Sequence, residues 1–132
     1  MSKENGATRL DMPDDSFLDI DQDQLDLEWI RQPKLFFQWA MKLANARLKA
    51  EELKAQLDLV EAELDSKIRE RPEKYGLRKV TETGIKSAIP RQDDYIEAQE
   101  DYQRAQHRVN ILQAGVQALD HKKRALENLV QL

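Results

Sequence analysis

Residues 36–64 read FFQWAMKLANARLKAEELKAQLDLVEAEL, and the spacing of their apolar side chains decides the fold class. Phe36, Leu43, Ala50, Leu57 and Leu64 fall one heptad apart, and Trp39, Ala46, Leu53 and Val60 fill the second core position. A repeat of three then four residues averages 3.5 per turn, so one stripe of the helix keeps facing a partner. The same seam returns downstream. Tyr95, Tyr102, Val109, Val116 and Val130 recur at multiples of seven, with Ala98, Ala105, Leu112, Leu119 and Leu126 between them. The chain is therefore expected to be all-α, with two long heptad-patterned helices joined by a basic segment that contains a short helix.

At 132 residues the length suits a single domain. Charged residues make up 35% of the chain and aromatics 6%, and the mean hydropathy is -0.77. Such a composition supplies apolar stripes but no thick globular core. Two folded helices of this kind are expected to leave apolar surface exposed, and self-association into a helical oligomer is the expected remedy. The seam of that oligomer is assigned to Phe36, Trp39, Leu43, Leu53, Leu57, Val60, Leu64, Val109, Leu112, Val116, Leu119 and Leu126. The chain has no cysteine, which excludes disulfides and thiolate metal sites. No apolar run has the length of a membrane span and no signal-peptide core is present, so a soluble, intracellular protein without a membrane partner is expected.

The net charge of -4 hides a strong asymmetry. Residues 1–32 hold nine acids and three bases, whereas residues 67–91 hold eight bases and three acids. Residues 1–24, acidic and broken by Gly6 and Pro13, read as a disordered tail, and residues 25–132 as one helical oligomerising domain with a basic connector at 67–91. Leu25, Leu27, Trp29 and Ile30 form a short apolar cluster expected to fold back onto the core. Pro33 is expected in the first turn of helix one, where its missing N–H costs nothing. That helix should run to about Arg71, where Pro72 stops it. Pro72 to Gly76 reads as a turn, and Thr81 as the N-cap of a short helix with Ile85, Ala88 and Ile89 on one face. Pro90 should end the short helix and Asp93 should cap helix two.

The basic connector holds Lys67, Arg69, Arg71, Lys74, Arg78, Lys79, Lys86 and Arg91, with Tyr75 in its midst. Several cations that can follow a phosphate backbone, near an aromatic ring on which a base can stack, are what non-specific single-strand binding needs. The candidate DNA-binding residues are Lys67, Arg69, Arg71, Lys74, Tyr75, Arg78, Lys79 and Lys86. A solvated charged cap, or a surface for a protein partner, is the plainer account of the same residues. The first half of helix one is also basic, through Lys34, Lys42, Arg47 and Lys49, with Lys54 beyond; ordinary pairing across a helical interface accounts for these. His107 and His121 are 14 residues apart, roughly 21 Å along a helix, which is too far to share a metal. No phosphate loop, nucleophile elbow or isolated acid–base pair is present, so neither catalysis nor a cofactor is expected.

Five features together resemble the UvsY-like recombination mediators of phages. They are the aromatic-rich start Leu35-Phe36-Phe37-Gln38-Trp39, the basic motif Lys67-Ile68-Arg69, the turn at Tyr75-Gly76, a short capped helix, and a long second helix with Lys122-Lys123-Arg124 near its end. The likeness covers roughly residues 32–132. It departs from the family pattern where Glu70-Arg71-Pro72 replaces an aromatic pair. The resemblance implies a non-catalytic, ring-like homo-oligomer in the cytoplasm of an infected host cell. It also implies binding to single-stranded DNA, led by Lys67 and Arg69, and partnership with a recombinase and a single-strand binding protein. The rival reading is a prefoldin-like coiled-coil chaperone or a phage assembly scaffold, which would want an apolar middle segment for its client.

Overall fold

The computed structural model describes residues 15–130, and among these there is helix and turn but no strand. Helix α1 spans Leu25–Glu70, α2 spans Glu82–Ala88, and α3 spans Asp93–Val130. Short 3-10 turns lie at Asp15–Leu18, Gln22–Gln24, Pro72–Tyr75 and Ile89–Arg91. Two compact units share the long helices: one holds the residues up to Arg47 together with those from His107 onward, the other holds Leu48–Gln106.

In the first unit the heptad residues of α1 and α3 pack on each other, and the two segments run antiparallel. Glu28 pairs with Lys122, Gln32 Nε2 donates to the Leu119 carbonyl at 2.8 Å, and Trp39 lies against Gly115. A Cβ at Gly115 would come within 3.1 Å of the Trp39 ring, so the absence of a side chain there is what lets the indole sit flat on the helix. Trp39, Leu43, Ala46, Val109, Leu112, Leu119 and Leu126 are buried, and Leu119 and Leu126 lose all exposure.

The second unit has its own core. Leu64, Ile68, Ile85, Ala88 and Ile89 are buried together, with Val60, Tyr75, Leu77 and Tyr95 packed around them. The heptad places Lys67 on the seam, but the stripe steps four residues from Leu64, so Ile68 is fully buried and Lys67 is exposed. The relaxation from 3.5 to 3.6 residues per turn marks the place where the helix stops facing a heptad partner and meets the connector instead. The connector is thus a folded piece anchored by Ile85 and Ile89. Gly76 supplies the positive φ of +78° that closes the turn after Pro72, and the Thr81 hydroxyl accepts from the Gly84 N–H at 3.0 Å.

Three sequence expectations change. Helix α1 begins at Leu25, and Pro33 is an interior residue. A proline there removes the bond to the Trp29 carbonyl and crowds that carbonyl with its ring, while burial of Gln32 and the Glu28–Lys122 pair hold the turn that precedes it. Leu27, Trp29 and Ile30 consequently ride on the helix and stay exposed. From Asp15 onward the stretch read as a disordered tail is folded: the Phe17 ring stacks on Trp39 with centroids 4.6 Å apart, and Lys122 Nζ donates to the Phe17 carbonyl at 2.8 Å. Residues 1–14 of that stretch lie outside the described residues. Finally Gln92, in extended conformation, holds the cap position of α3, since its carbonyl accepts the first helical bond from the Ile96 N–H at 3.0 Å; Asp93 and Asp94 lie in the first turn.

The seam assigned to an oligomer is largely covered within one chain. Trp39, Leu43, Leu57, Leu64, Val109, Leu112, Leu119 and Leu126 are buried, Leu53, Val60 and Val116 are half-buried, and Phe36 remains exposed. Replacing Leu119 with Ala should therefore cost about 2–5 kcal/mol of folding stability in urea titrations, because it empties a fully closed site. His121→Ala, at an exposed position two residues on, should stay within about 0.5 kcal/mol.

Candidate nucleic-acid interface

The connector displays most of its cations to solvent. Lys67 projects from the last turn of α1, and Arg71 and Lys74 follow at the Pro72 turn. Arg78 and Lys79 stand on the non-helical stretch before Thr81, Lys86 on α2, and Arg91 on the turn before α3. All seven are exposed, and none forms an ion pair among the described residues. They share one compact unit, and their backbones are fixed by the Leu64–Ile68–Ile85–Ala88–Ile89 core. An unpaired, hydrated cation on an ordered backbone is suited to a phosphate: it breaks no internal bond on binding, and its counterions are released.

Arg69 differs from its neighbours. Its Nε donates to Asp65 at 2.6 Å and its Nη2 to Glu82 at 2.8 Å, so the guanidinium clips the last turn of α1 to the first turn of α2. The planar fork can meet two carboxylates at once, which an ammonium cannot do with the same geometry. The Arg69 charge holds the Glu82 carboxyl below the ordinary carboxylate range, through their hydrogen bond first and simple attraction second. Of the Lys-x-Arg motif, then, Lys67 is free while Arg69 positions the connector. Tyr75 is half-buried and packs against the connector core.

Elsewhere several bases are engaged locally, although Arg31, Lys34, Arg47, Lys49 and Lys123 are exposed and form no ion pair among the described residues. Lys54 pairs with Asp58 at 3.0 Å and lies 6.0 Å from the Tyr102 ring centre, and Lys42 lies 4.8 Å from that of Trp39. Within Lys122-Lys123-Arg124, Lys122 is buried against Glu28 at 2.9 Å, whereas Arg124 pairs on the surface with Asp120. Heptad spacing alone did not reveal the burial of Lys122. The clue was its place three residues after Leu119 and four before Leu126, on the core side of the helix. Both histidines are exposed. Among the described residues no group of three or more His, Asp or Glu side chains could hold a metal ion, and no helix is long and apolar enough to cross a membrane. In the first unit an open groove of about 360 Å³ is lined by Trp29, Gln32, Pro33, Phe36, Asp120 and Lys123.

Because the Glu82 carboxyl titrates lower in the folded chain than in the unfolded one, its pair with Arg69 stabilises fully above about pH 4.5 and fades as pH falls through the lower folded value. Glu82→Gln should therefore be less stable than the native protein at neutral pH. The gap between the two melting temperatures should narrow progressively as the pH is taken below about 4.5. A gap that stayed constant would mean that Glu82 contributes through packing.

Neither a protein-family profile, a characterised protein nor a solved structure matches this chain.

Proposed function

We propose that this protein binds single-stranded DNA without sequence preference through its basic connector. In this reading it works as a non-catalytic mediator that helps load a recombinase. One observation carries the reading: Lys67, Arg71, Lys74, Arg78, Lys79, Lys86 and Arg91 are exposed and free of ion pairs on a connector whose own apolar core is closed. A flexible linker would supply the same charge but would lose entropy on binding. The resemblance to UvsY-like mediators supports the choice of single strands and of a recombinase partner. In the same reading the chain assembles into a ring-like homo-oligomer inside the host cell, and its acidic N-terminal stretch contacts the recombinase or the single-strand binding protein. A chaperone or scaffold that captures clients with its middle segment is less well served, since Ile85, Ala88 and Ile89 face inward and Val80 is the one exposed large hydrophobic of residues 71–92.

The test is fluorescence anisotropy with a labelled oligonucleotide over a salt series. Binding should weaken linearly in log–log form, with a slope of about -0.7 per phosphate contact. Replacing Lys67, Lys74, Arg78 and Lys79 together with Ala should make the slope shallower by roughly 3, if each meets one phosphate, and leave helicity unchanged. Arg69→Ala should act differently, loosening the connector and weakening DNA binding only as far as the fold is disturbed. No binding at low salt would remove the proposal.

A further inference from the structure

Helix α1 carries a second apolar stripe, opposite the one it buries. Phe37, Met41, Ala44, Leu48, Ala55 and Leu59 are all exposed, and Phe37, Met41, Leu48 and Leu59 keep 64%, 47%, 57% and 52% of their surface. At 3.6 residues per turn these six positions fall within a sector of about 60°, centred roughly 170° from the buried Trp39, Ala46 and Leu57. No charged residue enters that sector between Phe37 and Leu59. An unpaired apolar stripe of this length, in a chain that is 35% charged, is the mark of a binding face.

The pattern specifies what covers it. Phe37, Leu48 and Leu59 are spaced by eleven residues, a repeat of 3.67 per turn that drifts only about 20° each time, towards a gentle right-handed wrap. The matching surface is therefore another helix laid alongside. Residue sizes and charges identify that helix. Phe37 and Leu59 each lie eleven residues from Leu48, and Met41 and Ala55 each lie seven away. Turned end for end about Leu48, the stripe thus meets itself: Leu48 on Leu48, Phe37 on Leu59 and Met41 on Ala55, with Ala44 leaving room for the stem of Glu52. The charges agree with the same operation. Residues 29–50 hold five bases and no acid, and residues 51–65 hold six acids against Lys54 alone. Antiparallel pairing sets Arg31 opposite Asp65 and Lys34 between Glu61 and Glu63, while nearer the axis Arg47 meets Lys49 and Lys42 meets Lys54; parallel pairing would set every one of these bases against its own copy.

We infer that two copies of this chain pair antiparallel through the exposed face of α1, about a two-fold axis at Leu48. The contact is isologous, so each pair closes on itself, and any larger ring is built from such pairs. The inference does not depend on DNA and is tested without it.

The native protein lacks cysteine, so single cysteines report the register directly. Leu48→Cys should form a disulfide-linked dimer under mild oxidation, because the axis brings the two positions together. Phe37→Cys alone should not, since two copies of that position would lie roughly 33 Å apart, far beyond the 7 Å limit for a bridge. The double variant Phe37→Cys/Leu59→Cys should cross-link again. All three positions are exposed in the single chain, and circular dichroism checks that helicity is kept. Light scattering of the native protein should give at least twice 15.4 kDa. Failure of Leu48→Cys to cross-link overturns the inference at any native mass. Equal cross-linking of Leu48→Cys and Phe37→Cys overturns it too, as the sign of parallel pairing or random collision.

Discussion

The structure depends on α1 remaining helical over 46 residues. Backbone hydrogen bonds alone leave an isolated helix marginal in water, so its stability has to come from side chains buried along it. Here burial runs from Gln32 to Ile68 with no gap longer than two turns. The N-terminal part has an extra burden, because Pro33 removes a rung of the ladder. The contacts that compensate are polar and sit in the turn just before it: Gln32 on the Leu119 carbonyl, and Glu28 on the buried Lys122. Such a pair is costly to desolvate, and breaking it by removing one partner strands the other. What it secures is position, since Lys122 reaches both Glu28 and the Phe17 carbonyl and so fixes the entry of the chain into the helix.

Local signals carried much of the fold. The heptads located both long helices, Thr81 and Pro90 bounded the short one, and Gly76 marked the turn, because each of these depends on residues within one or two turns. What was not legible depended on partners far away in sequence. Pro33 looks like a helix start until Gln32 is seen bonded to a carbonyl 87 residues later. Phe17 looks like a stray aromatic in an acidic stretch until Trp39 is beside it. The candidate site divides along the same line. Composition alone found the exposed cations of the connector, but Arg69 could not be told from Lys67 without the position of Glu82, 13 residues on.

That division shows why charge count is a poor guide to a binding surface. Arg69 and Lys122 are as basic as their neighbours, yet both are spent on holding the fold, the first at the surface and the second inside it. The connector cations left over are those that form no ion pair. Their value lies in having nothing to give up when a phosphate arrives, which is also why the closed apolar core beneath them matters. Ile68, Ile85 and Ile89 keep the backbone that carries them in place before any ligand binds.

The two faces of α1 let a chain with so little apolar residue to spare bury one stripe for its fold and still present a second. One stripe is hidden within the chain and the other, half a turn away, is left over, so little net amphipathicity remains to announce either. An oligomer seam sought in the strongest heptads therefore falls on the core, and the outward stripe is the one free to meet another copy. Pairing would also bear on the connector. Phosphate contacts at a hydrated surface, as proposed for the connector, would be individually weak and salt-sensitive. Two connectors held by one pair would turn the second engagement of a strand into an intramolecular event, governed by local concentration instead of bulk concentration. Under that proposal an assembly would hold a strand more tightly than one chain does, through the same exposed cations.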